Sequence, residues 1–233
     1  MSRGCLALFP FLLMVVGDSC PASEVQDHGL AFERLVIRQL TGSEELEKSY
    51  TAEWDIPAVA NKRTGLPISV KFIEWKNSVY LGDVLRQRTI REPFEMVVGF
   101  FQPDAARGRA RIVAVHHLTF QPEVWLSWWG TVTEADLRAI IEAAKTGTVA
   151  EAQEAARPMA AALRKKSVIF SINPKINKDQ RRIQCSIPFN RFYAEVLHQP
   201  EIPQERLELF GSEFPGETLW SARPSTGIGP VIR

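Results

Sequence analysis

The chain has 233 residues, 45% hydrophobic and 24% charged, which suits one globular domain with at most an appended lobe. With 28 Lys and Arg against 27 Asp and Glu, its formal charge is +1, so overall electrostatics select no charged partner. Cys5, Cys20 and Cys185 have no metal-ligand spacing and build no disulfide framework. His28, His116, His117 and His198 show no HExxH grouping, and the absence of GxxxxGK[ST] and GxGxxG argues against nucleotide-triphosphate motors and dinucleotide enzymes.

In chain order, Arg3 precedes an apolar run from Cys5 to Gly17, with small residues near Ser19 and Ala22. Residues 1–22 therefore read as a leader or a disordered N-terminal extension, too short to span a bilayer. A cleaved leader would mean export, whereas a start placed too far upstream leaves a cytoplasmic protein, the reading preferred here. Residues 23–233 read as a single domain. A helix is expected over 23–40, with Ser23 as N-cap and Leu30, Glu33, Ile37 and Leu40 on one face. Glu33 then stands inside an apolar stripe, where a carboxylate is costly unless something pairs with it.

Two strands are predicted next, Tyr50–Pro57 and Pro67–Ile73, adjacent and antiparallel. A short element over 78–81 leads into a helix over 83–89. The apolar runs 94–101 and 111–118 suit strands buried on both faces of a sheet, joined by a hairpin over 102–108. Thr133 with Asp136, and Thr148 with Glu151, are capping boxes that open helices over 134–144 and 149–165. Pro158 is expected to kink or break the second helix. A strand pair over 167–172 and 182–187, a short helix over 190–197 and an irregular tail from Phe214 complete the prediction. Trp125, Trp128 and Trp129 are expected in the core. Together these give an α/β (α+β) fold, a central mixed β-sheet flanked by helices.

Phosphodiester cleavage by a metal-dependent nuclease needs carboxylates to hold Mg²⁺ and a lysine to orient water and offset charge. In a strand, i and i+2 point to one face, so Ser69 and Lys71 share the face opposite Ile68, Val70 and Phe72. Asp55 on the neighbouring strand could meet them there. The literal ExK match, Glu74 and Lys76, would continue the core face unless a bulge near Ile73 reverses it; this pair stays as the alternative.

Asp55, Lys71 and the preceding carboxylate-bearing helix together resemble the PD-(D/E)xK nuclease superfamily, which includes many restriction endonucleases. The likeness extends to His28-Gly29-Leu30-Ala31-Phe32-Glu33, to Tyr80-Leu81-Gly82-Asp83-Val84-Leu85-Arg86, and to Pro174-Lys175-Ile176 with Gln180-Arg181-Arg182-Ile183-Gln184-Cys185. The sequence departs from the family motif where Trp54 precedes Asp55 and where Ser69 stands in place of an acid.

The resemblance implies a restriction-endonuclease-like fold and a restriction-type DNA endonuclease with Mg²⁺ as cofactor, double-stranded DNA as partner and room for a homodimer. Its metal ligands would be Asp55, Asp83 and Glu33, with Lys71 completing the catalytic set. Asp83 has a second reading as the cap of the helix that follows it. Between residues 164 and 191 there are eight Lys and Arg against one acid, Asp179. In this basic stretch Lys175, Lys178, Arg181 and Arg182 would contact phosphates, and Gln180 and Gln184 could reach base edges. Two rivals remain: a non-catalytic DNA-binding protein on the same fold, and an exported protein with another binding role.

Overall fold

The computed structural model describes residues 22–43, 46, 53–104 and 109–219, with backbone alone for 22–27, 218 and 219. The leader, residues 50–52 of the predicted first strand, the tip of the 102–108 hairpin and the tail beyond Leu219 lie outside them.

Helix α1 (Ala22–Thr41) begins one residue before Ser23, so Ser23 lies in the first turn and is not the N-cap. Its inner face is Phe32, Val36 and Ile37, while Leu30 is half exposed. The predicted stripe was therefore displaced around the helix: the sheet selects the bulkier Phe32, which stacks on Phe72 with centroids 4.4 Å apart.

The predicted strand 50–57 shrinks, in its described part, to bends over 53–55 and one antiparallel bridge, Ile56 to Ile68. Strand β1 (Ile68–Glu74) follows, then β2 (Val79–Asp83) and the short helix α2 (Val84–Arg88). The long strands β3 (Phe94–Asp104) and β4 (Arg109–Phe120) grow from the two apolar runs. Helices α3 (Pro122–Ser127), α4 (Glu134–Lys145) and α5 (Val149–Lys166) come next, both predicted capping boxes being formed. Helix α5 runs through Pro158 without the break that was one of the two expected outcomes. Its buried stripe of Ala152, Ala156, Ala160 and Leu163 anchors it on both sides of the proline, and Glu154, whose carbonyl loses its partner, lies on the exposed side.

Strand β5 (Ser171–Ile176) starts four residues later than predicted. Ser167 turns the preceding segment, its Oγ donating to Trp128 O and accepting from Phe170 N. Pro174 is tolerated because β5 is an edge strand. Side chains bond that edge too, Arg164 Nε donating to Ile172 O and Gln153 Nε2 to Ile176 O. Strand β6 (Arg181–Ile187), helix α6 (Phe189–Arg191) with a π-turn continuation over Phe192–Leu197, and the small hairpin β7 (Glu208–Leu209) and β8 (Ser212–Glu213) follow. The tail is not wholly irregular, since β9 (Glu217–Leu219) pairs with β4.

The mixed sheet has the order β1-β3-β4-β9, with β1 parallel to β3 and the other pairs antiparallel. A second, antiparallel sheet has the order β2-β6-β5. The structure is thus an α+β arrangement, with a mixed sheet and helices, as expected. Alternation along β3 divides the interior. Phe94, Met96, Val98 and Phe100 enter a large core shared with the second sheet, Trp125 and Trp129, while Val97 joins α1, Ile68 and Val70 on the other side. Trp125 and Trp129 are fully buried and Trp128 packs against the same core, as predicted. Among the described residues no helix is long and apolar enough to cross a membrane.

Inside the large core His116 Nε2 and the Tyr193 hydroxyl share a 3.0 Å hydrogen bond. Burial lowers the His116 pKa to about 4 and raises that of Tyr193. As pH falls below about 6.5, the unfolded chain takes up a proton at His116 that the folded chain refuses, so stability drops until about pH 4. The loss at this one group should be on the order of 3 kcal/mol. Thermal melts between pH 7.5 and 4.5 should show the decline, and His116→Gln should flatten it.

Candidate active site

Ile56 and Ile68 exchange both backbone hydrogen bonds, at 3.0 and 2.9 Å, on the outer edge of β1. Two residues on, Val70 turns its own N–H and C=O to the same edge. No second backbone pair forms there; side chains take the places. Asp55 Oδ2 accepts from Val70 N at 2.6 Å, and Lys71 Nζ donates to Val70 O at 3.0 Å. The two side chains then meet, Lys71 Nζ to Asp55 Oδ2 at 3.2 Å, and Ser69 Oγ lies 3.3 Å from the same oxygen. The predicted pair, Asp55 with Lys71, is brought together at the end of the loop that joins their segments.

Glu33 approaches from α1 and lines a shallow cavity with Gly29, Leu30, Val70 and Phe72. Val70 is thus the common neighbour of Glu33 and Asp55. The alternative pair is placed differently. Register between β1 and β3 runs without a shift from Ile68↔Glu95 to Glu74↔Phe101, so there is no bulge at Ile73. Glu74 ends the strand exposed, and Lys76 sits in the following turn with φ 74°. Asp83 belongs to the second sheet, opposite Gln184, and its Oδ1 accepts from Arg86 N at 2.9 Å as the N-cap of α2. The capping reading of Asp83 is therefore realised. Among the described residues no three His, Cys, Asp or Glu side chains gather into a metal-binding group.

The basic segment divides. Lys175 on β5 stands directly opposite Arg182 on β6, and both are exposed on the outer face of the second sheet. Gln184 shares that face by its i+2 position, and Tyr80 of β2 adds a half-exposed ring 5.6 Å beneath Lys175 Nζ. The inner face of the same strands is Ile172, Ile176, Ile183, Cys185 and Ile187. Lys178 and Gln180 lie exposed in the β5–β6 turn. Arg181 points away from this group, Nη1 donating to Lys145 O and Gly147 O at 3.2 and 2.8 Å. It satisfies carbonyls left over at the end of α4.

Adjacent arginines should consequently behave differently. Arg181→Ala should cost stability, about 1 kcal/mol for charge-assisted bonds at an exposed helix end. Arg182→Ala should stay within about 0.5 kcal/mol of the parent. If DNA lies on the outer face, Arg182→Ala should make the slope of log affinity against log salt shallower by about 0.9. Urea unfolding and filter binding at several salt concentrations measure the two effects.

Glu95 and His117 have no role in the sequence reading. Glu95 lies within the apolar run Phe94–Phe101 yet is fully buried, its Oε2 accepting from Asn61 Nδ2 at 2.8 Å. A charged residue inside a strand otherwise buried on both faces was the available signal. No protein-family model, curated protein or solved structure matches this chain.

Proposed function

We propose that the chain is a Mg²⁺-dependent DNA endonuclease of restriction type that hydrolyses phosphodiester bonds at the outer edge of β1. The observation that supports this most is the 3.2 Å pairing of Asp55 with Lys71, drawn from two segments of the chain. Protein sites for Mg²⁺ commonly supply only one or two carboxylates and leave the remaining positions to water and substrate phosphate. Asp55, beside Lys71, fits that requirement as one hard-oxygen donor, while Glu33 lines the cavity on the α1 side of Val70. When bound, the ion would supply charge neutralisation at the phosphate and a more acidic water.

The chain's own residues have separable tasks. Asp55 orients Lys71, whose side chain is 20% exposed, so that its ammonium can meet a bound phosphate without full desolvation. Lys71 would offset negative charge developing on a non-bridging oxygen and align the attacking water. Ser69 Oγ holds the Asp55 carboxylate from the side. Lys175, Arg182 and Gln184 would hold duplex DNA, the cations fixing position and the amide reading base edges.

A second reading, a non-catalytic DNA-binding protein on the same fold, draws on a specific observation. Asp55 and Lys71 satisfy the edge hydrogen-bonding groups of β1, a task that a sheet edge needs done whether or not chemistry occurs there. Incubating supercoiled plasmid with the protein in Mg²⁺ or in EDTA separates the readings. Nicking or linearisation in Mg²⁺ alone supports the nuclease; retained DNA binding with no cleavage in either supports the second.

A further inference from the structure

The face of the mixed sheet that packs on α1 carries an unusual polar group at its lower end. Glu95 on β3 and His117 on β4 lie on that face, and the loop before β1 brings Asn61 onto them. Glu95 and Asn61 are each 1% exposed. Asn61 Nδ2 shares its two N–H groups among three acceptors, Thr64 Oγ1 at 2.7 Å, Leu66 O at 2.8 Å and Glu95 Oε2 at 2.8 Å. Those three acceptors fix the amide, so its oxygen is the end left over.

Each of the three residues that meet around Glu95 Oε2 keeps one atom unused. Asn61 Oδ1, Glu95 Oε1 and His117 Nε2 are all buried and all lack a hydrogen-bond partner among the described residues. His117 Nε2 stands 3.4 Å from Glu95 Oε2, close enough for charge to matter without a formed hydrogen bond. Burying a carboxylate oxygen and an amide oxygen without donors costs several kcal/mol in general. Two orphaned oxygens and an imidazole nitrogen in one cluster match the needs of a cation that accepts electron pairs.

We propose that Glu95, His117 and Asn61 form a binding site for a zinc-class divalent ion. A carboxylate and an imidazole are ordinary ligands for Zn²⁺, and the amide oxygen would be the third protein ligand. A water would occupy the fourth position, entering along His117, whose side chain is 25% exposed. Phe210 closes the flank, its ring edge-on to His117 at 4.9 Å, and the Arg63 guanidinium lies over the Phe210 ring, 4.6 Å from its centroid. The ion would tie the 61–66 loop to β3, Asn61 and Glu95 being 34 residues apart in the chain, and to His117 on β4. This site is separate from Asp55 and Lys71 and does not depend on the nuclease reading.

The full chain, stripped with EDTA and dialysed, should be titrated with Zn²⁺ alone by calorimetry. One equivalent should bind, and Zn²⁺ should raise the melting temperature. His117→Ala and Glu95→Gln should each weaken binding at least tenfold and lose the thermal gain, while Glu154→Gln, exposed on α5, should bind as the parent does. If Glu95→Gln does not fold, His117→Ala, at a part-exposed position, carries the comparison. No uptake by the parent chain overturns the proposal, as does uptake that both variants retain or that Glu154→Gln abolishes. The three atoms would then be sharing an ordered water.

Discussion

Asp55→Asn should reduce Mg²⁺-dependent plasmid cleavage by about 100-fold or more while leaving the protein folded and able to bind DNA. The asparagine keeps an oxygen that can accept from Val70 N, so the edge of β1 stays satisfied. It removes the charge that would bind the ion and that pairs with Lys71. Asp55→Ala removes both, and should add a modest stability loss, since the Val70 N–H then loses its acceptor where the 34% exposed Asp55 side chain had stood. Lys71→Ala should also suppress cleavage strongly, whereas Lys76→Ala, in an exposed turn beyond the strand, should be mild. Cleavage rates paired with urea unfolding curves test this directly. A fully active Asp55→Asn protein would remove the nuclease assignment from this site.

Phe32→Ala should destabilise the fold by about 3–5 kcal/mol, as expected for emptying a fully buried aromatic position. The ring is held between α1 and the sheet, stacked on Phe72 and edge-on to Phe214 at 5.7 Å. It lies directly over Gly99 of β3, where an added Cβ would come within 2.3 Å of the ring. Neighbouring side chains cannot collapse into the space without moving the helix, because Gly99 offers nothing to fill it. Leu30→Ala, half exposed on the same helix, should change stability by about 0.5 kcal/mol or less. Denaturant midpoints for the two variants should differ widely. Equal effects would mean that Leu30, not Phe32, faces the sheet. Because α1 also carries Glu33, Phe32→Ala should impair cleavage beyond what its loss of folded protein explains.

Much of the architecture was legible locally. The unbroken apolar runs became β3 and β4, since a strand covered on both faces needs no polar alternation. Thr133 with Asp136 and Thr148 with Glu151 marked two helix starts, because a capping box is complete within four residues. Period-two alternation in Ile68–Phe72 put Ser69 and Lys71 opposite the α1-facing side, and the short loop to Asp55 made their meeting a local event.

What failed to show in the sequence depended on partners far along the chain. Arg181 and Arg182 look alike as neighbours in a basic stretch, yet strand alternation sends one to the end of α4 and the other to an open sheet face. Pro158 reads as a breaker and Pro174 falls in a predicted connection; a packed alanine stripe and an edge position removed their cost. Leu30 and Phe32 differ by two places on one helix, and only the sheet beneath, with Gly99 making room, decided which was buried. Glu95, His117 and Asn61 belong to three separate segments, and their meeting follows from the pairing of β3 with β4 and the path of one loop. Local periodicity determines which residues share a face; what that face meets is set by long-range pairing, for which the sequence carries no short-range signal.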